Sequence, residues 1–185
     1  MRLKLRSFLI VFALFLSLLF LWSCSGPVNY LDEGYRSLKN GDLNSAENYF
    51  IIIMNNSSNP IELSEASEGF GWVGLLKGMY STAEDYFHKS LFYNHQNADA
   101  YLGLLITAWE TSDWNNLIFA AQDFSKLVDE SYKFQSLPQR EIKWLDCMKL
   151  LAMGYFMENQ IDNLKELLEQ LPSDAFTENL REVIE

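Results

Sequence analysis

The sequence predicts an all-α fold of about four helix-turn-helix units closed by a C-terminal helix, on three observations. First, Asn40-Gly41-Asp42-Leu43-Asn44-Ser45-Ala46-Glu47-Asn48-Tyr49-Phe50 is echoed 37 residues later by Lys77-Gly78-Met79-Tyr80-Ser81-Thr82-Ala83-Glu84-Asp85-Tyr86-Phe87, with weaker echoes over 111–121 and 158–168. A period in this range marks stacked helical units, each too small to bury its own apolar face. Second, Asn44, Ser81, Asn115 and Asp162 recur at one place in every unit, where a second helix needs an acceptor for its unpaired amides. Third, 49% apolar and 15% aromatic residues supply a core and exclude disorder.

The first element is an address. Arg2, Lys4 and Arg6 precede an uncharged, largely apolar run from Ser7 to Ser23, so residues 1–23 read as a secretory signal. The run falls short of the ~20 residues that a spanning helix needs. It ends in Leu21-Trp22-Ser23-Cys24, which resembles the lipobox of bacterial lipoproteins. That resemblance implies cleavage before Cys24, diacylglycerol on its thiol, fatty acyl chains such as palmitate as the anchor, and residues 24–26 as a lipidated linker. Ser25, where an aspartate would mark inner-membrane retention, implies the outer membrane, facing the periplasm. Cleavage takes the formal net charge from −11 to −14. A chain this acidic is repelled by phosphate, so nucleic acid is excluded as a partner, and the membrane is met only through the lipid.

The units follow at about 27–60, 64–97, 98–131 and 145–178, with extra residues between them, where such a stack tolerates insertion. Glu47 and Glu84, three residues after Asn44 and Ser81, complete capping boxes or close relatives of them. Gly41 and Gly78 stand where the first helix of a pair must end in a left-handed residue. Gly34 and Gly71, opposite Ala46 and Ala83, let paired helices approach. Leu105, Ala152, Leu117 and Leu164 take those places later, so the later pairs should sit further apart. These positions, with Gly69-Phe70-Gly71-Trp72, Phe50 and Phe87, resemble the tetratricopeptide repeat (TPR) family over about three quarters of the chain. The resemblance implies a right-handed superhelix whose concave face is lined by the first helix of each pair. Between the third and fourth units, Ser131 to Ser136 read as a longer connection. Pro138 reads as the start of a long helix through Glu141, Trp144, Met148, Leu151 and Tyr155. Residues 177–185 form the capping helix, with Leu180, Val183 and Ile184 on one face.

Little in the chain points to chemistry. A nucleophile needs a base beside it, and the only histidines, His88 and His95, stand about two turns apart on a helix surface. No enzyme, metal or cofactor is expected. Cys147 reads as a buried free thiol, with an intermolecular disulfide as the alternative. Carried onto this sequence, the concave positions of TPR repeats give a groove of Leu31, Tyr35, Leu38, Trp72, Leu75, Leu76, Leu102, Trp109, Met153, Phe156 and Met157, with acid at its edges. An exposed aromatic patch of this kind marks a protein-binding surface; otherwise Trp72 and Trp109 pack within the stack. Two functions follow. One is a noncatalytic cell-envelope lipoprotein, an adaptor or assembly factor that holds an unidentified protein or peptide segment in the groove. The other is a structural subunit of an outer-membrane or secretion complex that uses its convex face while its own chain fills the groove. Intrachain cover over Trp72 and Trp109 separates the two.

Overall fold

Left-handed residues punctuate the chain. Gly41 (φ 78°), Gly78 (φ 72°), Ser112 (φ 58°) and Asn159 (φ 56°) each follow the first helix of a pair. In each case the next amide donates to a carbonyl five residues back: Asp42 to Ser37 (2.9 Å), Met79 to Gly74 (2.9 Å), Asp113 to Ala108 (2.8 Å) and Gln160 to Tyr155 (2.8 Å). This satisfies the orphan carbonyls and reverses the chain within a few residues.

The computed structural model describes residues 28–184; the expected signal sequence, Cys24 and the expected 24–26 linker lie outside them. The described residues form four antiparallel pairs. These are α1 (Tyr30–Lys39) with α2 (Leu43–Asn56), α3 (Pro60–Leu76) with α4 (Tyr80–Tyr93), α5 (Ala98–Thr111) with α6 (Trp114–Leu127), and α7 (Trp144–Met157) with α8 (Ile161–Gln170). The capping helix, α9 (Ala175–Ile184), follows.

The second helices start earlier than their polar repeat suggests. Asp42 and Asp113 cap α2 and α6, accepting from the amides of Ser45 and Asn116 at 3.1 Å, while α4 and α8 have no side-chain cap. Asn44, Ser81, Asn115 and Asp162 lie inside the first turn instead, so they do not cap. Asp42→Ala should therefore lose about 1 kcal/mol of stability in urea denaturation, and Asn44→Ala almost none.

Two phenylalanines bolt the first three pairs together. Phe50 of α2 enters between Gly34 of α1 and Gly69 of α3, where a β-carbon would stand 2.6 and 2.2 Å from its ring. Phe87 of α4 enters between Gly71 of α3 and Gly103 of α5, with corresponding distances of 2.7 and 2.3 Å. Both rings are fully buried. The glycines thus make room for an aromatic ring as well as for neighbouring backbone, a close-packed arrangement without slack.

The segment after α6 departs from the helix expected there. Lys133–Leu137 (β1) and Arg140–Lys143 (β2) pair antiparallel, with Phe134 opposite Ile142 and Leu137 opposite Arg140. Pro138 sits at the corner of the two-residue turn, where its fixed φ suits the bend, and Gln139 takes φ 52°. The helix through Met148 and Tyr155 therefore begins only at Trp144. Alternation turns Phe134 and Ile142 inward, an irregularity in the pairing between Phe134 and Leu137 brings Leu137 to the same side, and Lys133, Gln135, Arg140, Glu141 and Lys143 are left in solvent. The hairpin reaches α1, where the Pro138 ring lies 3.9 Å from the place a β-carbon on Gly41 would take, and its second strand meets α7.

Candidate functional site

The hairpin lies on the face from which a ligand groove was expected. Phe134 stacks on Trp72 with ring centres 4.7 Å apart, and Phe87 meets the indole edge-on at 5.2 Å. Trp72 is left with no exposed surface. Its Nε1 donates to Glu68, and the Tyr35 hydroxyl lies between the second Glu68 carboxyl oxygen and the Glu65 carbonyl oxygen, 2.9 Å away. Tyr132, just before β1, donates its hydroxyl to Asp99 and packs edge-on against Phe124. Two carboxyl groups thus form the seat of the hairpin, held by phenol and indole donors rather than by cations.

Burial pushes Glu68 up to about 8; the charge of Asp99 adds to this, and the Tyr35 and Trp72 hydrogen bonds oppose it. Asp99 is raised as well, by burial, against the bond from Tyr132. The neutral acid also suits the local geometry. Tyr35 is the donor to both Glu68 and the Glu65 carbonyl oxygen, and since a phenol has one proton, a neutral Glu68 donating to the Tyr35 oxygen would release that proton for Glu65. Because the folded state binds this proton more tightly than the unfolded chain, Glu68 contributes most below its ordinary range near 4.5. That contribution is lost as pH rises through about 8. Measured against Glu68→Gln, the wild type should lose relative stability steadily between these values; a difference independent of pH would refute the assignment.

Most of the expected groove is closed. Leu38, Trp72 and Leu102 are fully buried. Leu31, Tyr35, Leu75, Trp109, Met153 and Phe156 are half-buried against the core, and Trp109 packs edge-on with Trp114 at 5.5 Å. Leu76 and Met157 alone of the set are exposed, at the ends of α3 and α7. The eleven side chains do not form one open surface, because Phe134 of the hairpin covers Trp72 at its centre and most of the others are buried or half-buried. Cys147 is buried too, its thiol pushed up to about 12 by burial, and so is shielded from a partner chain. His88 stands 4.0 Å from Glu84, and among the described residues no three side chains converge as metal ligands.

An open cleft lies elsewhere, between α4 and α6, with α5 as its floor. It encloses about 460 Å³ and is lined by Glu84, His88, Leu91 and Phe92 of α4, by Tyr101, Leu104, Thr107, Ala108 and Thr111 of α5, and by Asn116, Phe119, Ala120 and Asp123 of α6 with its cap Asp113. Phe92 and Phe119 are 84% and 64% exposed, the first and third most exposed large apolar residues described. Sequence reasoning passed over this site. Its signal is a phenylalanine on the outer side of a second helix in successive units.

Solved structures share the fold. YrrB, a TPR protein with an unusual peptide-binding site, superposes with a TM-score of 0.62 at 17% identity, over 78% of this chain and 66% of its own. PilF of Pseudomonas aeruginosa gives 0.65 at 14% identity, over 83% and 65%; MamA gives 0.61 at 14%, over 83% and 77%. The chain spans just under two thirds of the length of the YrrB and PilF chains. No protein-family model matches the sequence, nor does any curated protein. The fold is an all-α, TPR-like superhelix, with the hairpin as an insertion between the third and fourth pairs.

Proposed function

We propose that this chain is a noncatalytic lipoprotein of the bacterial cell envelope, anchored through Cys24 at the outer membrane and facing the periplasm. There it serves as an adaptor or assembly factor that holds a segment of a partner protein on the outer side of its helix pairs. The observation that carries the reading is the open α4–α5–α6 cleft, which leaves Phe92 and Phe119 in water while the concave face is filled by the chain's own hairpin. Two large exposed aromatics beside one open cleft are the anchors that a protein interface buries. The TPR-like fold supports an interaction role, and YrrB shows that a TPR protein can carry a peptide site described as unusual. The buried carboxyl groups are engaged in seating the hairpin, which suits a scaffold better than an acid-base catalyst.

No described helix is long and apolar enough to cross a membrane. Labelled palmitate should enter the wild type and not Cys24→Ala; equal labelling of both would defeat the anchor. For the interaction, a photoreactive residue in place of Phe119 should capture a protein in the native envelope. Capture from a probe at Gln135 instead would move the interaction to the hairpin side and defeat the cleft as its seat.

A further inference from the structure

We infer that the α4–α5–α6 cleft receives a basic amphipathic helix, lying along the furrow with its apolar stripe inward and lysine or arginine on its flanks. This rests on the proposed interaction role and adds the chemistry of what is held.

The walls supply the anchors. Phe92 and Phe119 stand on the two walls of the cleft, with Leu91 and Leu104 below them, so apolar residues spaced three and four apart on a helix meet them in turn. The floor argues for a helix over an extended segment. The Thr107 hydroxyl already donates to the Gly103 carbonyl (2.8 Å), the Thr111 hydroxyl to the Thr107 carbonyl (3.0 Å), and the Asp113 carboxylate is taken up by Asn116. An extended backbone would find few partners there and leave its own amides and carbonyls unpaired. A helix brings these groups already satisfied and packs as a ridge between two others.

Charge selects the flanks. Glu84 and Asp113 lie near one end of the cleft and Asp123 near the other, and no lysine or arginine lines it. His88 faces Glu84 at 4.0 Å, and Lys126 bridges Asp123 at 2.7 Å without lining the cleft. The same rim disfavours a second copy as occupant, because two such clefts face to face would oppose like carboxylates on two strongly acidic chains.

The test uses the full chain in non-ionic detergent with a photoreactive phenylalanine in place of Phe119. The probe is a synthetic helix of about 16 residues, or ~24 Å, with leucine at helical spacing and lysine elsewhere. It should crosslink about tenfold more than the same peptide with glutamate for lysine, and about tenfold more than a leucine-lysine peptide of equal composition whose order destroys the stripe. Phe92→Ser, an exposed change that leaves the helical circular dichroism intact, should lower the yield roughly fivefold, and about 0.5 M salt should lower it further. Equal yields from the three peptides, or an equal yield from a probe at Gln135, would overturn the inference. In the native envelope, capture at Phe119 of a partner segment that is acidic or extended would overturn it and leave the adaptor role standing. No capture from either phenylalanine position would defeat both.

Discussion

Gly69→Ala should destabilise the fold by about 2 kcal/mol, although alanine is the better helix former by about 1 kcal/mol. The new methyl group would stand 2.2 Å from the tip of the Phe50 ring and 2.4 and 2.7 Å from the two carbons beside it. Phe50 has no room to retreat, because its ring is fully buried, with Tyr35 edge-on at 5.2 Å and the Gly34 backbone so close that even an added β-carbon there would stand 2.6 Å from the ring. The overlap therefore falls on the α2–α3 backbone, which must open, and overpacking of this kind outweighs helix propensity. Urea denaturation measures the difference. Phe50→Leu, itself destabilising, should become less so in the Gly69→Ala background, since it removes the obstructing ring. A Gly69→Ala protein more stable than wild type would show that Phe50 is free to move. Gly103→Ala repeats the case against Phe87 at 2.3 Å.

Trp72→Ala should cost more, about 3–5 kcal/mol. The indole is fully buried between Phe87 and Phe134, and its removal leaves a cavity and deprives Glu68 of the Nε1 donor. The hairpin should feel the loss first. Amides of residues 133–143 should exchange with solvent well before those of α3 and α4, and thermal unfolding followed by circular dichroism should shift downward. Trp109→Ala should cost less, since Trp109 is half-buried and packs chiefly on Trp114 within its own pair. Unchanged stability in Trp72→Ala would mean that the hairpin does not depend on the stack. Loss of partner binding in this variant would report damage to the core, whereas the exposed Phe92 and Phe119 report on contact.

Helix pairs were legible because their punctuation is local. The 37-residue echo and the left-handed places of Gly41 and Gly78 follow from short-range geometry, and the described structure has them. Ser112 and Asn159 take the same conformation but are not glycine, so the sequence hides them. The caps were misplaced by two residues because both Asp42 and Asn44 are good acceptors and only backbone geometry chooses between them. The hairpin was missed for a similar reason. Pro138 suits a helix start and a turn corner equally, and the apolar spacing that continues into α7 favoured the helix. The alternation of Lys133-Phe134-Gln135 and of Glu141-Ile142-Lys143 was the competing signal.

The cover over the candidate groove was hidden for a different reason. TPR spacing tells which side chains of the first helices face the concave side, and Trp72 does face it. What lies on top is set by a segment some 60 residues further along, which repeat positions do not encode. At the outer cleft, Phe92 and Phe119 each have apolar neighbours in sequence, Leu91 and Tyr93 or Ile118 and Ala120. A phase error of one residue there exchanges the buried side chain for the exposed one.

The contact between the hairpin tip and the end of α1 changes what kind of object the stack is. A linear array of repeats couples only nearest neighbours, and its ends can fray without consulting the middle. Here the segment between the third and fourth pairs returns to the first, joining Pro138 to the neighbourhood of Gly41 and closing the array into a loop of dependence. Such a link raises the contact order and slows folding, because it forms only after the chain between has been ordered. Once formed, it ties the first pair to the fourth, and the molecule should melt as a single cooperative unit rather than fray from its ends.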